Sequence, residues 1–208
     1  MKKILLTLFI LTTFIFSFTD QEKNDFSKAI GIYEAVKIDL AANYELSVTK
    51  MAEVVAILDK FSISDLKKDT QYATFSEIYS YYGILLKTVN KYTEANTYSY
   101  KAYLIFYRNT QALYTLGYLL QRIYLQENRK YKKSKKRTDW LRVRYYGKLV
   151  YDMYTKYAEY SRIKSSGVRR QISLFQKYAD INLPDSFIEK ELKVTIPKKI
   201  KTSTKSTK

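Results

Sequence analysis

Residues 76–122 read SEIYSYYGILLKTVNKYTEANTYSYKAYLIFYRNTQALYTLGYLLQR. Gly83 and Gly117 lie 34 residues apart; each follows a bulky residue, Tyr82 or Leu116, and each precedes a leucine by three residues, Leu86 or Leu120. Ala95 and Ala102 fall 12 and 19 residues after Gly83. Two antiparallel helices joined by a short turn need small side chains where their axes come closest, and Gly83, Ala95 and Ala102 supply them across a turn at Asn90 to Tyr92. The stretch therefore predicts a helix from about Thr70 to Val89, a second from Tyr92 to Phe106 and a third from Asn109 to about Leu125, with Asn109 or Thr110 as its N-cap.

Helical spacing continues on both sides. Upstream, Phe26, Ile30, Tyr33, Val36, Leu40 and Tyr44 recur at three- and four-residue steps, as do Val48, Met51, Val55 and Leu58. Ser64, Asp65, Lys67, Lys68 and Asp69 read as a polar break. Downstream, Thr138 or Asp139 can cap a helix whose stripe is Val143, Tyr146, Val150, Met153, Tyr157 and Tyr160, ending near Ser165, Ser166 and Gly167. A shorter helix is expected over Val168 to Ala179, and Pro184 and Asp185 can start a last one. Alternating strand patterns are hard to find. The 22 tyrosines read as packing residues that bring large contact area and one polar atom each. The expected class is all-α, built of antiparallel helical hairpins as either a right-handed repeat array or an irregular bundle.

The 34-residue period resembles a tetratricopeptide repeat plus the first helix of the next, over residues 76–122. Tyr79 stands where that family often has Trp, Ser99 where it prefers an aromatic residue, and Tyr107 where a helix-ending Pro is usual. Continuing the period from Gly117 puts Arg129 and Lys136 at small positions, so the second unit breaks down or is interrupted there. The resemblance implies a concave face made by the first helix of each pair, suited to an extended peptide or a partner helix. Its residues would be Glu77, Ser80, Ile84, Lys87 and Thr88, then Gln111, Tyr114, Tyr118, Gln121 and Arg122. Lys87 and Arg122 beside Tyr114 and Tyr118 suit a carboxylate flanked by an apolar side chain.

Composition removes much enzymology. The chain has no Cys and no His, which excludes thiol and imidazole nucleophiles, the Ser-His-Asp triad and zinc-finger ligand sets. Its five glycines, at 31, 83, 117, 147 and 167, are too scattered for a phosphate-cradling loop. Carboxylates such as Glu45, Glu53, Asp59, Glu22, Asp25, Glu189 and Glu191 form no evident acid-base pair, and Ser166 with Lys164 face apart two residues along a helix. No catalytic, cofactor-binding or metal-binding residue is assigned, no small-molecule substrate is evident, and the chain is expected not to be an enzyme.

Lys2 and Lys3 precede an uncharged, mostly apolar run from Ile4 to Phe18, and Asp20 restores polarity. This is the layout of a bacterial signal peptide, too short at roughly 1.5 Å per residue for a roughly 30 Å bilayer core. The expected organisation is a signal peptide at 1–19, a single all-helical domain at 20–195 and a disordered basic tail at 196–208. Within the domain sit a repeat-like core, 76–122, and a basic loop, 129–137. Export to the periplasm, the cell envelope or the medium follows, with an uncleaved anchor as the alternative; without cysteine the exported chain relies on packing alone.

The net charge of +17 is one-sided. Residues 20–100 carry 9 basic and 12 acidic side chains, whereas residues 101–208 carry 26 basic and 8 acidic, a net of +18. The densest segment is Arg129, Lys130, Lys132, Lys133, Lys135, Lys136 and Arg137, followed by Arg142 and Arg144. Unpaired cations are too costly to bury, so the segment must be a solvated loop or a docking surface. Two functions are expected: an envelope protein that binds a protein or peptide partner through a helical groove, or a binder of anionic lipid or polysaccharide, such as an adhesin, acting through residues 129–170. Nucleic acid is not an expected partner for an exported chain.

Overall fold

A computed structural model of the chain describes residues 18–38, 43–162 and 165–183. The expected signal segment up to Ser17, Leu40 in the first stripe, Lys164, the helix from Pro184 and the basic tail lie outside the described residues. The described chain is all-α: α1 (Asp20–Ile38), α2 (Tyr44–Leu58), α3 (Ile63–Lys68), α4 (Tyr72–Thr88), α5 (Tyr92–Ile105), α6 (Thr110–Ser134), α7 (Arg137–Tyr160), α8 (Ser166–Phe175) and a 3-10 turn, Gln176–Tyr178. Contacts among the described residues fall into two compact units, divided after Asn109.

In the first unit the helix starts are set by side chains. Thr19 and Glu22 form a reciprocal capping box: the Thr19 backbone N–H donates to the Glu22 carboxylate at 2.6 Å, and the Glu22 N–H donates to Thr19 Oγ1 at 3.2 Å. Asn43 Oδ1 accepts from the Glu45 and Leu46 amides at 3.0 and 3.2 Å and so starts α2. The segment expected as a polar break is the short helix α3, because Ser62 accepts from the Asp65 amide at 3.1 Å and Leu66 is wholly buried. One buried leucine in six residues is too little periodicity to show in the sequence.

The core of this unit combines Met51, Leu58, Phe75, Ile78, Leu85 and Ile105, all essentially inaccessible. Phe26 lies against Phe75 and Phe61 with centroids 4.8 and 4.6 Å apart, and Phe18 packs edge-on to Phe26 at 4.8 Å. The α4–α5 hairpin has the close approach expected from its small residues. A Cβ on Gly83 would sit 3.2 Å from both the Ala95 carbonyl oxygen and the Ser99 amide nitrogen. Ser76 Oγ donates to the Ala102 carbonyl at 2.8 Å, a bond that needs α5 equally near at its other end.

In the second unit α6 pairs along its length with α7, and α8 folds back onto α7. Val150, Tyr154, Val168 and Phe175 form the buried cluster, flanked by Leu120, Tyr124, Ile172 and Tyr178. Two glycines make room for tyrosine rings: a Cβ on Gly117 would be 3.0 Å from Tyr154, and one on Gly147 would meet Cγ of Tyr178 at 2.7 Å. Tyr124 and Tyr178 share a hydroxyl hydrogen bond of 3.1 Å.

Helix α6 runs to Ser134, nine residues past the expected end at Leu125, and takes in most of the expected basic loop. Lys, Arg, Gln and Glu are good helix formers, but a run of them carries no apolar stripe to announce the helix. Only Lys135 and Lys136 separate α6 from α7. Lys135 adopts φ 53°, the left-handed conformation of a helix stop, with its amide bonded to the Tyr131 carbonyl at 2.8 Å. Neither Thr138 nor Asp139 caps α7, whose N-cap is Lys136 without a side-chain bond. The Asp139 carboxylate instead accepts from the Ser134 hydroxyl, clasping the turn.

Candidate partner-binding cleft and basic hairpin tip

The ten residues implied as a groove fall five to each unit. On α4, Glu77 is half-buried and accepts from the Tyr33 hydroxyl at 2.8 Å and from Lys37 Nζ at 3.0 Å. Burial by itself would raise the Glu77 carboxyl, but the bonds from Lys37 and Tyr33 and the Lys37 charge outweigh it and hold the group below its ordinary value. Tyr33 is pushed far up, by burial first and by Glu77 second. Ser80 is completely buried and its Oγ has no hydrogen-bond partner. Ile84 and Lys87 are half-buried, and Thr88 is exposed, its hydroxyl donating to the Ile84 carbonyl at 3.0 Å. The covering has a simple source: α1 and α2 both pack on α4, so the face that a repeat would leave open is engaged within the unit.

On α6 the other five are placed differently. Gln111, Tyr114 and Tyr118 are exposed, and Gln121 and Arg122 half-buried. Tyr114, Tyr118, Gln121 and Arg122 line one half-open cleft of about 420 Å³ within the second unit, a size usual for ligand sites. Leu125 and Tyr154 extend the wall, and α8 closes it with Val168 and Gln171. The Tyr154 hydroxyl donates to Gln121 Oε1 at 3.3 Å, and Tyr114 stands edge-on to the Tyr154 ring at 6.2 Å, so the aromatic wall is held in place from behind. Burial raises the Tyr154 phenol well above its ordinary value, keeping it a neutral donor. Gln171 Oε1 is buried without a hydrogen-bond partner. Such an acceptor costs about 1–3 kcal/mol while unmet.

The α8 wall and Tyr154 lie outside the face that the repeat resemblance implies. Tyr154 stands four residues beyond Val150, a step that marks it as facing inward. The return of α8 onto α7 is a tertiary contact with no local signal.

The basic residues gather at the α6–α7 tip. Arg129, Lys130, Lys132, Lys133, Lys135, Lys136 and Arg137 are exposed, whereas Arg142 and Arg144 are half-buried. The two carboxylates nearby are engaged: Lys130 Nζ lies 3.6 Å from buried Asp139, and Arg142 lies 3.8 Å from Glu127. The Ser134 hydrogen bond, with Lys130 and Arg142 adding to it, holds the Asp139 carboxyl below the usual range against the effect of burial. The Arg144 guanidinium stacks over Trp140 at 4.5 Å and Lys135 over Tyr131 at 5.8 Å.

No group of three or more metal-ligating side chains occurs among the described residues, and no described helix is long and apolar enough to cross a membrane. No protein-family model matches the chain, and no curated protein matches it in sequence.

Proposed function

We propose that the protein is an exported, non-enzymatic interaction module of bacterial type that holds a segment of a partner protein in the cleft between α6, α7 and α8. One observation carries the reading: Tyr114, Tyr118, Gln121 and Arg122, singled out from the 34-residue period, converge on one cleft with apolar Leu125 and Val168. Arg122 supplies a cation for a carboxylate, and the tyrosines and Leu125 take an apolar side chain. The reading needs the cleft alone, not a repeat array. Peptides selected from a displayed random library against the full chain should converge on a carboxylate beside an aliphatic or aromatic residue. R122Q should weaken them roughly 10- to 100-fold, the usual weight of a charge-assisted bond. Selected peptides indifferent to both R122Q and Y118A would overturn the assignment.

Export rests on Lys2, Lys3 and the apolar run that follows. The packing of Phe18 on Phe26 and Phe61 and the capping box of Thr19 with Glu22 make both residues part of the folded unit, which favours cleavage after Ser17 rather than after Thr19. Mass spectrometry of protein recovered from cells should find Phe18 at the amino terminus. A mature end at Asp20 would count against that boundary, and an intact Met1 against cleavage.

A further inference from the structure

We infer that the α6–α7 hairpin tip is a docking surface for anionic phospholipid headgroups. The inference stands apart from the cleft and uses other residues. Arg129, Lys132, Lys133, Lys135, Lys136 and Arg137 are exposed and none is in an ion pair among the described residues. The acidic residues that could neutralise the tip are turned inward, Asp139 to Ser134 and Lys130, and Glu127 to Arg142. The exposed end is therefore positive without local compensation.

The tip is also ordered before it meets anything. Helix extends to within one residue of Lys135 on one side and Lys136 on the other, and the turn is tied by the Lys135 amide to Tyr131, by Ser134 to Asp139, and by the Lys136 amide to Ser134 Oγ at 3.2 Å. Little conformational freedom is lost when such a turn docks. One turn into α7, Trp140 is about one-third exposed (36%), with Arg144 over its ring, and Tyr131 is half-buried on the last turns of α6. Indole and phenol rings flanked by Lys and Arg are the side chains that settle at the bilayer headgroup layer.

Geometry favours a membrane over a linear polyanion. A nucleic acid or polysaccharide strand is tracked by a basic groove with stacking platforms spaced along it. Here the cations crowd the end of a hairpin, where a plane of charge can meet them together. Each basic residue at an anionic surface contributes roughly a fivefold gain in binding, so the exposed set suffices without a spanning helix.

The test uses the full chain and vesicles of phosphatidylglycerol and phosphatidylcholine in roughly a 1:3 ratio, against phosphatidylcholine alone. Expected are binding to the anionic vesicles only, weakening as salt rises, and a blue shift of emission from Trp140, the single tryptophan. The variant K132Q/K133Q/K135Q/K136Q should lose roughly several hundredfold in affinity at low salt. The control K28Q/K67Q/K68Q/K91Q removes the same charge from exposed positions of the first unit and should bind as the parent does. Equal loss in both variants, or equal binding of parent and tip variant, would overturn the site. Retention on phosphatidylcholine alone would overturn the electrostatic basis and assign binding to the apolar N-terminal run. Tighter binding to heparin or duplex DNA than to the vesicles, with Trp140 emission unmoved, would overturn lipid as the ligand. Circular dichroism on each variant checks that the helices persist.

Discussion

Above pH 10 the protein should lose stability steeply, with the tyrosinate absorbance of its buried phenols appearing together with the loss of helical circular dichroism. Nine described tyrosines are held above the ordinary phenol value, each by burial first: Tyr33, Tyr79, Tyr81, Tyr82, Tyr98, Tyr100, Tyr124, Tyr146 and Tyr154. Tyr98 and Tyr124 are each pushed up to about 12. Tyr79 goes further, because its hydroxyl is buried and donates to Asp59 at 2.6 Å, so ionisation would place a phenolate against a carboxylate. A phenol raised in the native state keeps its proton while the unfolded chain, titrating near 10, gives its own up. The unfolded state then binds fewer protons, so stability is full below pH 10 and falls as pH climbs toward the native values.

At pH 11 each phenol that only the unfolded chain can ionise costs about 1.4 kcal/mol. Tyr33 and Tyr79, both inaccessible, together account for about 3 kcal/mol, a large share of the roughly 5–15 kcal/mol that holds an ordinary domain together. The partly exposed tyrosines add less apiece. Replacing Tyr33 and Tyr79 by Phe should move the alkaline midpoint upward, while at neutral pH it removes hydroxyl bonds worth about 1 kcal/mol each. Nine of the 22 tyrosines are in this set, so tyrosinate exceeding 13 equivalents with the helical signal intact would show that these phenols ionise within the folded chain.

Tyrosines carry much of what could and could not be read from sequence. Their three- and four-residue spacing predicted helices, and Gly83 with Ala95 and Ala102 predicted the α4–α5 hairpin and its narrow gap. Which face of α4 stays open was not legible, since Tyr33 reaches Glu77 across 44 residues of chain and no local pattern encodes that pairing. The basic stretch reads as a loop in the sequence for the opposite reason. Its helix is sustained by the propensity of Lys and Arg and by a Ser134 to Asp139 clasp, neither of which leaves hydrophobic periodicity. In the cleft, Tyr114, Tyr118, Gln121 and Arg122 lie on the face that the repeat resemblance implies; Val168 and Gln171 belong to a helix whose return onto α7 is set by packing around Val150 and Tyr154.

Gly83→Val should destabilise the first unit by about 2–3 kcal/mol, a fall of roughly 10–20 °C in Tm for a unit of this size. The new Cβ would overlap Ser99 Oγ and press at 3.2 Å on the Ala95 carbonyl and the Ser99 amide, and the two methyl groups beyond it have no space in the narrow gap. The hydroxyl of Ser99 can rotate away, since it is buried without a partner, but the backbone atoms move only if α5 moves. Separation of α4 from α5 would in turn stretch the 2.8 Å bond from Ser76 to the Ala102 carbonyl, one helical face further along the same hairpin. Ser99→Gly in the Gly83→Val background should therefore recover only part of the loss. Gly31 supplies the opposite case: it is exposed on α1, and a Cβ there meets nothing within 4 Å. Gly31→Ala should stabilise by about 0.5–1 kcal/mol through helix propensity alone. Thermal melts of the two variants should thus move in opposite directions. Equal upward shifts would mean that α4 and α5 do not need glycine at their crossing, and the small residues at 83 and 95 would lose their structural explanation.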